Sequence, residues 1–242
     1  MQNQPSTRAK IGVLLPTRGI ELTSQHPGSL DLIVSMAETS EDAGLDSVWV
    51  GDSLTFKPRS EPLTTLASIA TRTKTVRLGT AILIAPLRHP LLLAQTAATV
   101  DLVSKGRLVL GVGVGGAFIN TQRKEWSDAG VTVSSRATRL EETVIAVRSL
   151  TSGNELNHKG RHFHFENVRT GPSPARKDGI PFLIACHMRS SREQQYRRAA
   201  RIGDGIMTIS DTPSEYSELL DRITTYTSEF GKRLENMERA FY

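Results

Sequence analysis

The chain has 242 residues, 38% of them hydrophobic, and its 30 Lys and Arg outnumber its 25 Asp and Glu to give a formal net charge of +5. This length is enough to bury one sizeable core, and α/β barrels of about this length commonly form a single domain. The basic residues are scattered and lack any aromatic-basic module or zinc-finger spacing, which argues against a nucleic-acid partner and favours a basic surface or an anionic cofactor.

The first residues and the single cysteine indicate an aqueous, reducing compartment. Residues 1–9 are polar and lack the apolar run of a signal peptide, and no apolar run in the chain approaches the roughly 18 residues that a membrane span needs. Cys186 is the only cysteine, which excludes an intrachain disulfide. We therefore expect a cytoplasmic protein without a membrane partner, with one domain across residues 1–242 and a flexible leader at residues 1–9.

The first half of the chain predicts strands that alternate with helices. Each apolar run of strand length ends at turn residues, and apolar residues at helical spacing follow it. The predicted strands are residues 10–15, 46–50, 76–85 and 107–112, with helices that begin near Leu30, Pro62 and Pro90. The fourth strand runs into the glycine-rich string GVGVGG at residues 111–116. A strand, helix and strand that end in such a turn form one βαβ unit with a ligand-binding tip.

The second half continues this alternation around one interruption. Helices are predicted over residues 134–150, 190–202 and 211–231, and strands over residues 180–186 and 205–209. Residues 153–178 break the pattern, and the string HFHF within them lies in a polar context with Pro and Gly, which predicts an inserted surface hairpin. Six strands that alternate with six helices indicate a parallel sheet, either closed into a barrel or open and doubly wound.

Five strings along the chain, in order, resemble the luciferase-like flavin-dependent oxidoreductases, the family of bacterial luciferase, two-component FMN monooxygenases and deazaflavin-dependent reductases. The strings are DSVWVGDS, LGTAILIAPLRHP, SKGRLVLGVGVGG, GPSPARKDGIPFLIA and RRAARIGDGIM. The resemblance implies a TIM-type (β/α)8 barrel with the flavin ring across the carboxyl ends of the strands. Residues 235–242 are too few for a seventh and an eighth βα unit, so we expect a barrel shortened at its C-terminal end to about six units. Open sheet edges favour association, so we also expect a homodimer.

The glycine turn is the first candidate cofactor site. Glycines let a phosphate approach the backbone, and the unpaired N–H groups of such a turn bind it. A plain tight turn and a dinucleotide fingerprint are the alternatives, but no acidic residue ends a second strand about 20 residues later, as ribose recognition requires. The resemblance implies that Gly113, Val114, Gly115 and Gly116 contact the flavin, with Val114 standing where luciferases have an arginine.

Two further segments are candidate cofactor contacts. The resemblance implies a non-prolyl cis peptide at Ala81–Ile82 beneath the flavin ring, so Thr80 and Ala81 are expected contacts, with an ordinary buried strand as the alternative. Ser190 and Ser191 follow the fifth strand, where they can cap a helix and donate to the cofactor phosphate. Simple helix capping explains these two serines equally well.

The candidate catalytic residues are Asp52, Ser53 and His89. The resemblance implies a catalytic histidine, as in luciferases and many deazaflavin enzymes, at the strand end where this chain has Ser53 or Leu54. Asp52 is placed at the rim of the barrel to accept a substrate proton, and an ion pair with Lys57 or Arg59 is the alternative. His89 is a second candidate base, although a structural role at the start of its helix is the simpler interpretation.

The remaining histidines and the cysteine predict no separate site. His158, His162 and His164 have no acidic or cysteine companion that fixes a metal geometry, so an exposed hairpin without a metal is expected. Cys186 has no identifiable activating partner, which predicts a buried and inert thiol.

These features predict an FMN-dependent, luciferase-like monooxygenase that takes reduced FMN from a separate flavin reductase and oxidises a small organic substrate with O2. Two alternatives stay open. One is hydride transfer with the deazaflavin coenzyme, whose acidic tail suits a basic surface. The other is a non-catalytic flavin-binding or partner subunit, which the short barrel and the absent histidine suggest. Loops at residues 17–28 and 118–133 are expected to enclose the substrate.

Overall fold

Seven parallel strands form one curled sheet, so their carboxyl ends share one rim. The computed structural model describes residues 8–18, 30–188, 192–209 and 211–242. Within these ranges the strands are β1 Gly12–Leu14, β2 Ser47–Val50, β3 Arg77–Leu83, β4 Leu108–Val112, β5 Leu156–Lys159, β6 His164–Val168, β7 Phe182–Ala185, β8 Gly205–Thr208 and β9 Glu238–Phe241. The large sheet has the order β1-β2-β3-β4-β7-β8-β9, and β5 pairs with β6 in a separate antiparallel hairpin.

Helices connect the parallel strands and cover the outer face of the sheet. The described helices are α1 Asp31–Asp42, α2 Pro62–Arg72, α3 Pro90–Val103, α4 Asn120–Asp128, α5 Arg136–Thr151, α6 Glu193–Ile202 and α7 Pro213–Glu229. Ile33, Leu93 and Val144 from three of them are buried in one core cluster with strand residues such as Val48 and Leu108. The predicted alternation of strands and helices, and the α/β barrel architecture, are therefore confirmed.

Short sequence signals fix where these helices begin. A proline lies in the first turn of α2, α3 and α7, where its missing N–H has no helical partner to lose. Glu61 accepts the Thr64 N–H at 2.7 Å, and Thr212 and Glu215 form a reciprocal capping box at the start of α7. None of the helices in the described ranges is both long and apolar enough to cross a membrane.

Inside the curl, small residues make room for large ones. The Cβ that Gly79 lacks would lie 2.1 Å from the ring of Trp49, so any side chain at this position would displace the tryptophan. The buried apolar side chains in the same interior cluster are Ala81, Val109, Leu183 and Met207. They form an apolar floor beneath the rim.

The end of the chain adds one strand that was not predicted to the six βα units that were expected. β9 pairs in parallel with β8, and Glu238 at its start accepts two hydrogen bonds from Arg77 of β3, at 2.6 and 2.9 Å. The short turn Leu234–Asn236 returns the chain to the amino end of the sheet, and Met237 is buried beside it. A seventh strand therefore forms, while β1 and β9 make no pairing with each other within the described sheet.

The hairpin of β5 and β6 is the insertion predicted for residues 153–178. Glu142 of α5 anchors it, because its carboxylate accepts the backbone N–H groups of residues 161–163 at 2.9–3.1 Å. Burial acts to raise the pKa of Glu142, but these bonds outweigh it and lower the pKa. The described residues contain no cluster of three or more His, Cys, Asp and Glu that is arranged to hold a metal ion. The hairpin histidines instead bond to neighbouring side chains: His158, His162 and His164.

Candidate active site

The turn after β4 presents a row of unbonded backbone N–H groups. Gly113 donates its N–H to the Leu83 carbonyl at 3.1 Å, whereas the N–H groups of residues 114–117 donate to no acceptor in the described part of the chain. Gly115 has φ +69°, a left-handed conformation that directs successive N–H groups towards one point. Consecutive free N–H groups of this kind form a concave anion-binding site, so the turn can hold a phosphate or a carboxylate.

Helix α4 holds this turn in place. Trp126 donates its Nε1–H to the Gly116 carbonyl at 2.8 Å, and a Cβ on Gly115 would lie 2.8 Å from both Ile84 and the Trp126 ring. The expectation of a loop over residues 118–133 is therefore wrong at its centre, because burial of Trp126 stabilises a short helix there. A tryptophan within a polar stretch is the sequence signal that marks this buried side.

β3 is interrupted beside the glycine turn by a cis peptide between Ala81 and Ile82, as expected. The pairing of β3 with β4 shifts register between Thr80 and Leu83. Tyr242 donates its hydroxyl to the Ala81 carbonyl at 3.3 Å. The carbonyl of the cis peptide therefore lies at the rim next to a phenol that the sequence analysis did not single out.

Thr80 and Ala81 differ in what their side chains face. Thr80 is fully buried and donates its hydroxyl to the Gly111 carbonyl at 2.7 Å, so this side chain joins β3 to β4. Ala81 is buried among the apolar residues inside the curl. The Thr80 hydroxyl is therefore engaged within the sheet, whereas Ala81 lies on the interior side of the strand, and both remain predicted cofactor contacts.

Asp52 follows β2 and belongs to a buried ion pair. Its side chain is 2% exposed, and it accepts hydrogen bonds from Arg88 at 2.5 and 3.1 Å and from the Ile84 N–H at 2.8 Å. Burial acts to lower the pKa of Arg88, but the bonds to Asp52 outweigh it and raise the pKa. The ion-pair partner is thus Arg88 instead of Lys57 or Arg59. A carboxylate engaged in this way anchors the segment after β3 and is poorly suited to remove a substrate proton.

Ser53 lies under a loop that wraps around the buried carboxylate of Glu125. One oxygen of Glu125 accepts the Ser53 hydroxyl at 2.9 Å and the N–H groups of residues 54–56 at 2.6–3.3 Å. These bonds fix the loop after β2 to α4. Sequence reasoning missed Glu125 because it lies in a polar stretch where an acidic residue is unremarkable.

His89 begins α3. Its Nδ1 accepts the Leu91 N–H at 3.3 Å, and its ring packs edge-on against Phe163 and Phe165 of the hairpin, with centroid separations of 5.6 and 5.9 Å. These contacts are those of a structural residue at the start of α3, which is the alternative to a catalytic base at His89.

The segment after β7 is described only in part. The predicted contacts Ser190 and Ser191 lie outside the described residues. Cys186 is buried, and this burial, with a smaller effect from Asp211, raises the pKa of its thiol to about 12. Such a thiol stays protonated near neutral pH and is a weak nucleophile.

Two arginines lie at the amino ends of helices on this side of the rim. Arg136 begins α5, and Arg192 is the capping residue of α6. Burial, and then repulsion from Arg192, lower the pKa of Arg136. Neither guanidinium forms an ion pair with a carboxylate of the described residues; Arg136 donates to the Val133 carbonyl at 2.9 Å. They add positive charge that Val114 does not supply.

A cavity of about 750 Å³ opens between β1 and β9. Its lining extends from Asp46 and Arg77 at the amino ends of the strands to Ala81 and Tyr242 at the rim, and it does not include the glycine turn. It is the unclosed side of the curl. The groups that can hold an anion lie at the rim, so we place the candidate site there, above the upper end of this cavity.

The family model of the luciferase-like monooxygenases matches residues 9–242. The chain belongs to this family. The luciferase-like character inferred from the five strings is therefore confirmed.

Curated relatives of this luciferase-like chain include flavin and deazaflavin enzymes. The oxygenase component of the flavin-dependent trigonelline monooxygenase from Acinetobacter baylyi is 29% identical over 165 residues, which cover 67% of this chain and 45% of that protein. The F420-dependent glucose-6-phosphate dehydrogenase from Amycolatopsis mediterranei is 30% identical over 233 residues, which cover 91% of this chain and 66% of that protein. The chain thus spans between 45% and 66% of the length of these two relatives.

Solved structures share the fold. The monooxygenase RslO1 from Streptomyces bottropensis has a TM-score of 0.82 and 26% identity, over 96% of this chain and 70% of that one. The coenzyme F420-dependent tetrahydromethanopterin reductase from Methanopyrus kandleri has a TM-score of 0.76 and 20% identity, over 96% of this chain and 64% of that one, a likeness of fold alone.

The rim of this luciferase-like chain fits a coenzyme with a phosphate group. The free N–H groups of residues 114–117 supply donors, and the guanidinium groups at the amino ends of α5 and α6 add positive charge to the same rim. Beside this rim the Ser53 hydroxyl is bonded to Glu125.

Proposed function

We propose that this chain is the FMN-dependent oxygenase of a two-component monooxygenase, which oxidises a small organic substrate with O2 and takes reduced FMN from a separate flavin reductase. The observation that carries the proposal is the row of unbonded N–H groups at residues 114–117 beside the interrupted strand β3. The flavin-dependent relative and the 0.82 TM-score to a monooxygenase support oxygenation. We also propose a cytoplasmic location, because the single Cys186 fits a reducing compartment and no apolar run approaches the length of a membrane span.

The proposal divides the coenzyme contacts between two parts of the rim. The turn Gly113–Gly116 would hold the phosphate through its N–H groups, and Arg136 and Arg192 would balance its charge. The ring would lie over Ala81–Ile82, close to Tyr242. When bound and reduced, FMN supplies the electrons for the reaction with O2.

The chain contributes orientation and exclusion of water. Ala81, Leu183 and Met207 form part of the apolar floor beneath the ring position, which keeps water from that side. Burial raises the pKa of Tyr242, so its phenol keeps its proton near neutral pH and continues to donate to the Ala81 carbonyl. Under this proposal Asp52 is a positioning residue that fixes the segment after β3.

Hydride transfer with the deazaflavin coenzyme is the second candidate function. The relative that covers 91% of this chain is an F420-dependent dehydrogenase. The guanidinium groups of Arg136 and Arg192 would suit the acidic tail of that coenzyme as well as they suit FMN. A non-catalytic flavin-binding or partner subunit is a third candidate, which the absence of a histidine at both Ser53 and Leu54 supports.

Titration of FMN and of the deazaflavin coenzyme into the purified chain tests the proposal. We expect FMN to bind with a Kd of about 1 µM, which corresponds to about 8 kcal/mol, and the deazaflavin coenzyme to bind at least about tenfold more weakly. O2 uptake with an added flavin reductase then tests for oxygenation. Tighter binding of the deazaflavin coenzyme would favour hydride transfer, and binding of neither would overturn both enzymatic functions.

Two glycine substitutions test whether FMN binds at the turn after β4. In Gly115→Ala the added Cβ meets Ile84 and Trp126, so the turn must shift and we expect FMN affinity to fall by at least about tenfold. Gly130→Ala is the matched control, because Gly130 also has a positive φ, +67°, but has no atom within 4 Å of the added Cβ. Equal FMN affinity in both variants would argue against binding at this turn.

A further inference from the structure

Arg59 lies over the carboxyl ends of β1 and β2, on a different part of the rim from the glycine turn. It donates from Nη1 to the hydroxyl of the buried Thr17 at 3.2 Å. A Cβ on Gly51, directly after β2, would come within 3.1 Å of the Arg59 Cζ. The glycine therefore lets the guanidinium lie close to the backbone at the strand end, where Thr17 holds it.

A second guanidinium, that of Arg18, lies near Arg59. Burial, and then repulsion from Arg18, lower the pKa of Arg59. Guanidinium groups remain charged in proteins, so two positive charges are held together at the rim. Among the described residues, no carboxylate forms an ion pair with either of them; Asp52, which acts on Arg59 from a distance, is bonded to Arg88. Partly buried charges of one sign are unfavourable until an anion offsets them.

This pair lies next to the proposed ring position. Tyr242 acts electrostatically on Arg59, and its hydroxyl bonds to the Ala81 carbonyl of the cis peptide. The glycine turn follows β4, whereas Arg18 and Arg59 lie at the ends of β1 and β2, with β3 between the two groups. An anion bound by Arg59 is therefore separate from a phosphate held at residues 114–117.

We propose that Arg18 and Arg59 bind an oxyanion of the substrate, and that the substrate is a small organic acid. A carboxylate is planar and matches the parallel N–H groups of a guanidinium, which gives both affinity and a fixed orientation. With its carboxylate held over β1 and β2, the rest of the substrate extends over β3 towards the ring position. This inference rests on the proposed function, because it assumes that a substrate reacts at this rim.

The test uses a panel of monocarboxylates from acetate to benzoate, each compared with its neutral carboxamide. Binding is followed by thermal stabilisation and by intrinsic fluorescence, in the full chain with and without FMN. We expect at least one carboxylate to stabilise the chain while its carboxamide does not. We further expect Arg59→Gln to raise the Kd of that carboxylate at least about tenfold and Arg18→Gln to raise it less, with the Kd of FMN within about twofold of its original value.

Arg233→Gln is the matched control, because Arg233 is 77% exposed and its ion pair among the described residues is with Glu235 near the end of the chain. Inorganic phosphate serves as a second probe. If phosphate stabilises Arg59→Gln as much as the original chain, phosphate binds at the glycine turn and not at Arg59. That result, together with no binding of any carboxylate, would overturn the proposal. Carboxylates that stabilise Arg59→Gln as well as the original chain would also overturn it. Failure of FMN to bind is measured separately and would count against the proposed function.

Discussion

Arg88 donates two hydrogen bonds to the Asp52 carboxylate, and both side chains are largely withdrawn from water. The side chain of Asp52 is 2% exposed and that of Arg88 is 16% exposed. Removal of Arg88 leaves the Asp52 carboxylate buried without its charge partner, whereas removal of Asp52 leaves Arg88 paired with its second partner, the more exposed Glu61, at 3.2 Å. If Asp52 is a positioning residue, its effect therefore depends on Arg88.

We expect Arg88→Met to lower the free energy of unfolding by about 3 kcal/mol, and Asp52→Asn to lower it by less because Arg88 keeps its ion pair with Glu61. The double variant should lose less than the sum of the two, by about 1–2 kcal/mol, because the Asp52 carboxylate is then not left buried without a charge partner. Urea unfolding of the four proteins gives this coupling energy. The exposed pair Lys124 and Asp128 is the control, with an expected coupling below about 1 kcal/mol. Strictly additive losses at Asp52 and Arg88 would contradict a positioning role.

The sequence identifies Asp52 as a candidate but does not reveal its role. Its position after a predicted strand places it at the rim, which the structure confirms. Its partner Arg88 is 36 residues away along the chain, and no local spacing links the two. The same limit applies to Ser53 and Glu125, which are 72 residues apart and meet only when α4 packs under the loop.

At the next scale, one carboxylate joins the end of α1 to the start of β3. Glu41 accepts the backbone N–H groups of Lys74, Thr75 and Val76 at 2.8–2.9 Å. Burial acts to raise the pKa of Glu41, but these bonds outweigh it and lower the pKa from 4.5 to about 2. The ionised Glu41 carboxylate thus holds the end of α1 against the segment that leads into β3.

This lowered pKa predicts how stability depends on pH. A group whose pKa is lower in the folded chain stabilises it above the unfolded pKa, and the contribution is lost as the pH falls from about 4.5 to about 2. We expect Glu41→Gln to lower the free energy of unfolding at pH 7 by on the order of 1 kcal/mol, a value reduced for solvent screening. The difference from the original chain should shrink steadily below pH 4.5. Urea unfolding at a series of pH values measures it.

Glu38→Gln is the control for this prediction, because Glu38 lies on the same helix and, within the described part of the chain, its side chain bonds to the exposed Arg72 and not to backbone N–H groups. Its effect should be small and nearly independent of pH. A Glu41→Gln difference that stays constant down to pH 2 would show that the bonds to the backbone do not depend on the charge.

Strands and helices whose buried residues form a regular apolar pattern could be predicted from the sequence. Those without such a pattern, β9 and α4, were not predicted. β3 and β4 are nearly continuous apolar runs because both faces are covered, and they were located from the sequence. β9 has the sequence ERAF, with half-exposed alternation that resembles a chain end, and it forms through pairing with β8 and the bond from Arg77 to Glu238. Helix α4 is polar along most of its length, and only Glu125 and Trp126 are buried.

At the scale of the whole molecule, the sheet has two strands that pair on one side only. β1 and β9 stand at its ends, and large apolar side chains are exposed beside both of them. Ile11 is 59% exposed next to β1, and Phe241 is 55% exposed within β9. Unpaired strand backbone with exposed apolar residues is a surface that associates with other chains.

We therefore expect the chain to form a homodimer through these edges, with a dissociation that can be followed by sedimentation over a range of concentrations. Ile11→Lys and Phe241→Lys should each raise the dimer Kd at least about tenfold, because a charge at an edge strand opposes pairing. Leu92→Lys is the matched control: Leu92 is 65% exposed but lies on α3, away from both edges, and its replacement should leave the Kd unchanged. A chain that stays monomeric at every concentration, or a dimer that Leu92→Lys weakens equally, would place association elsewhere. Since the cavity between β1 and β9 ends at Tyr242 and Ala81, a dimer through these edges would also close the interior beneath the candidate site.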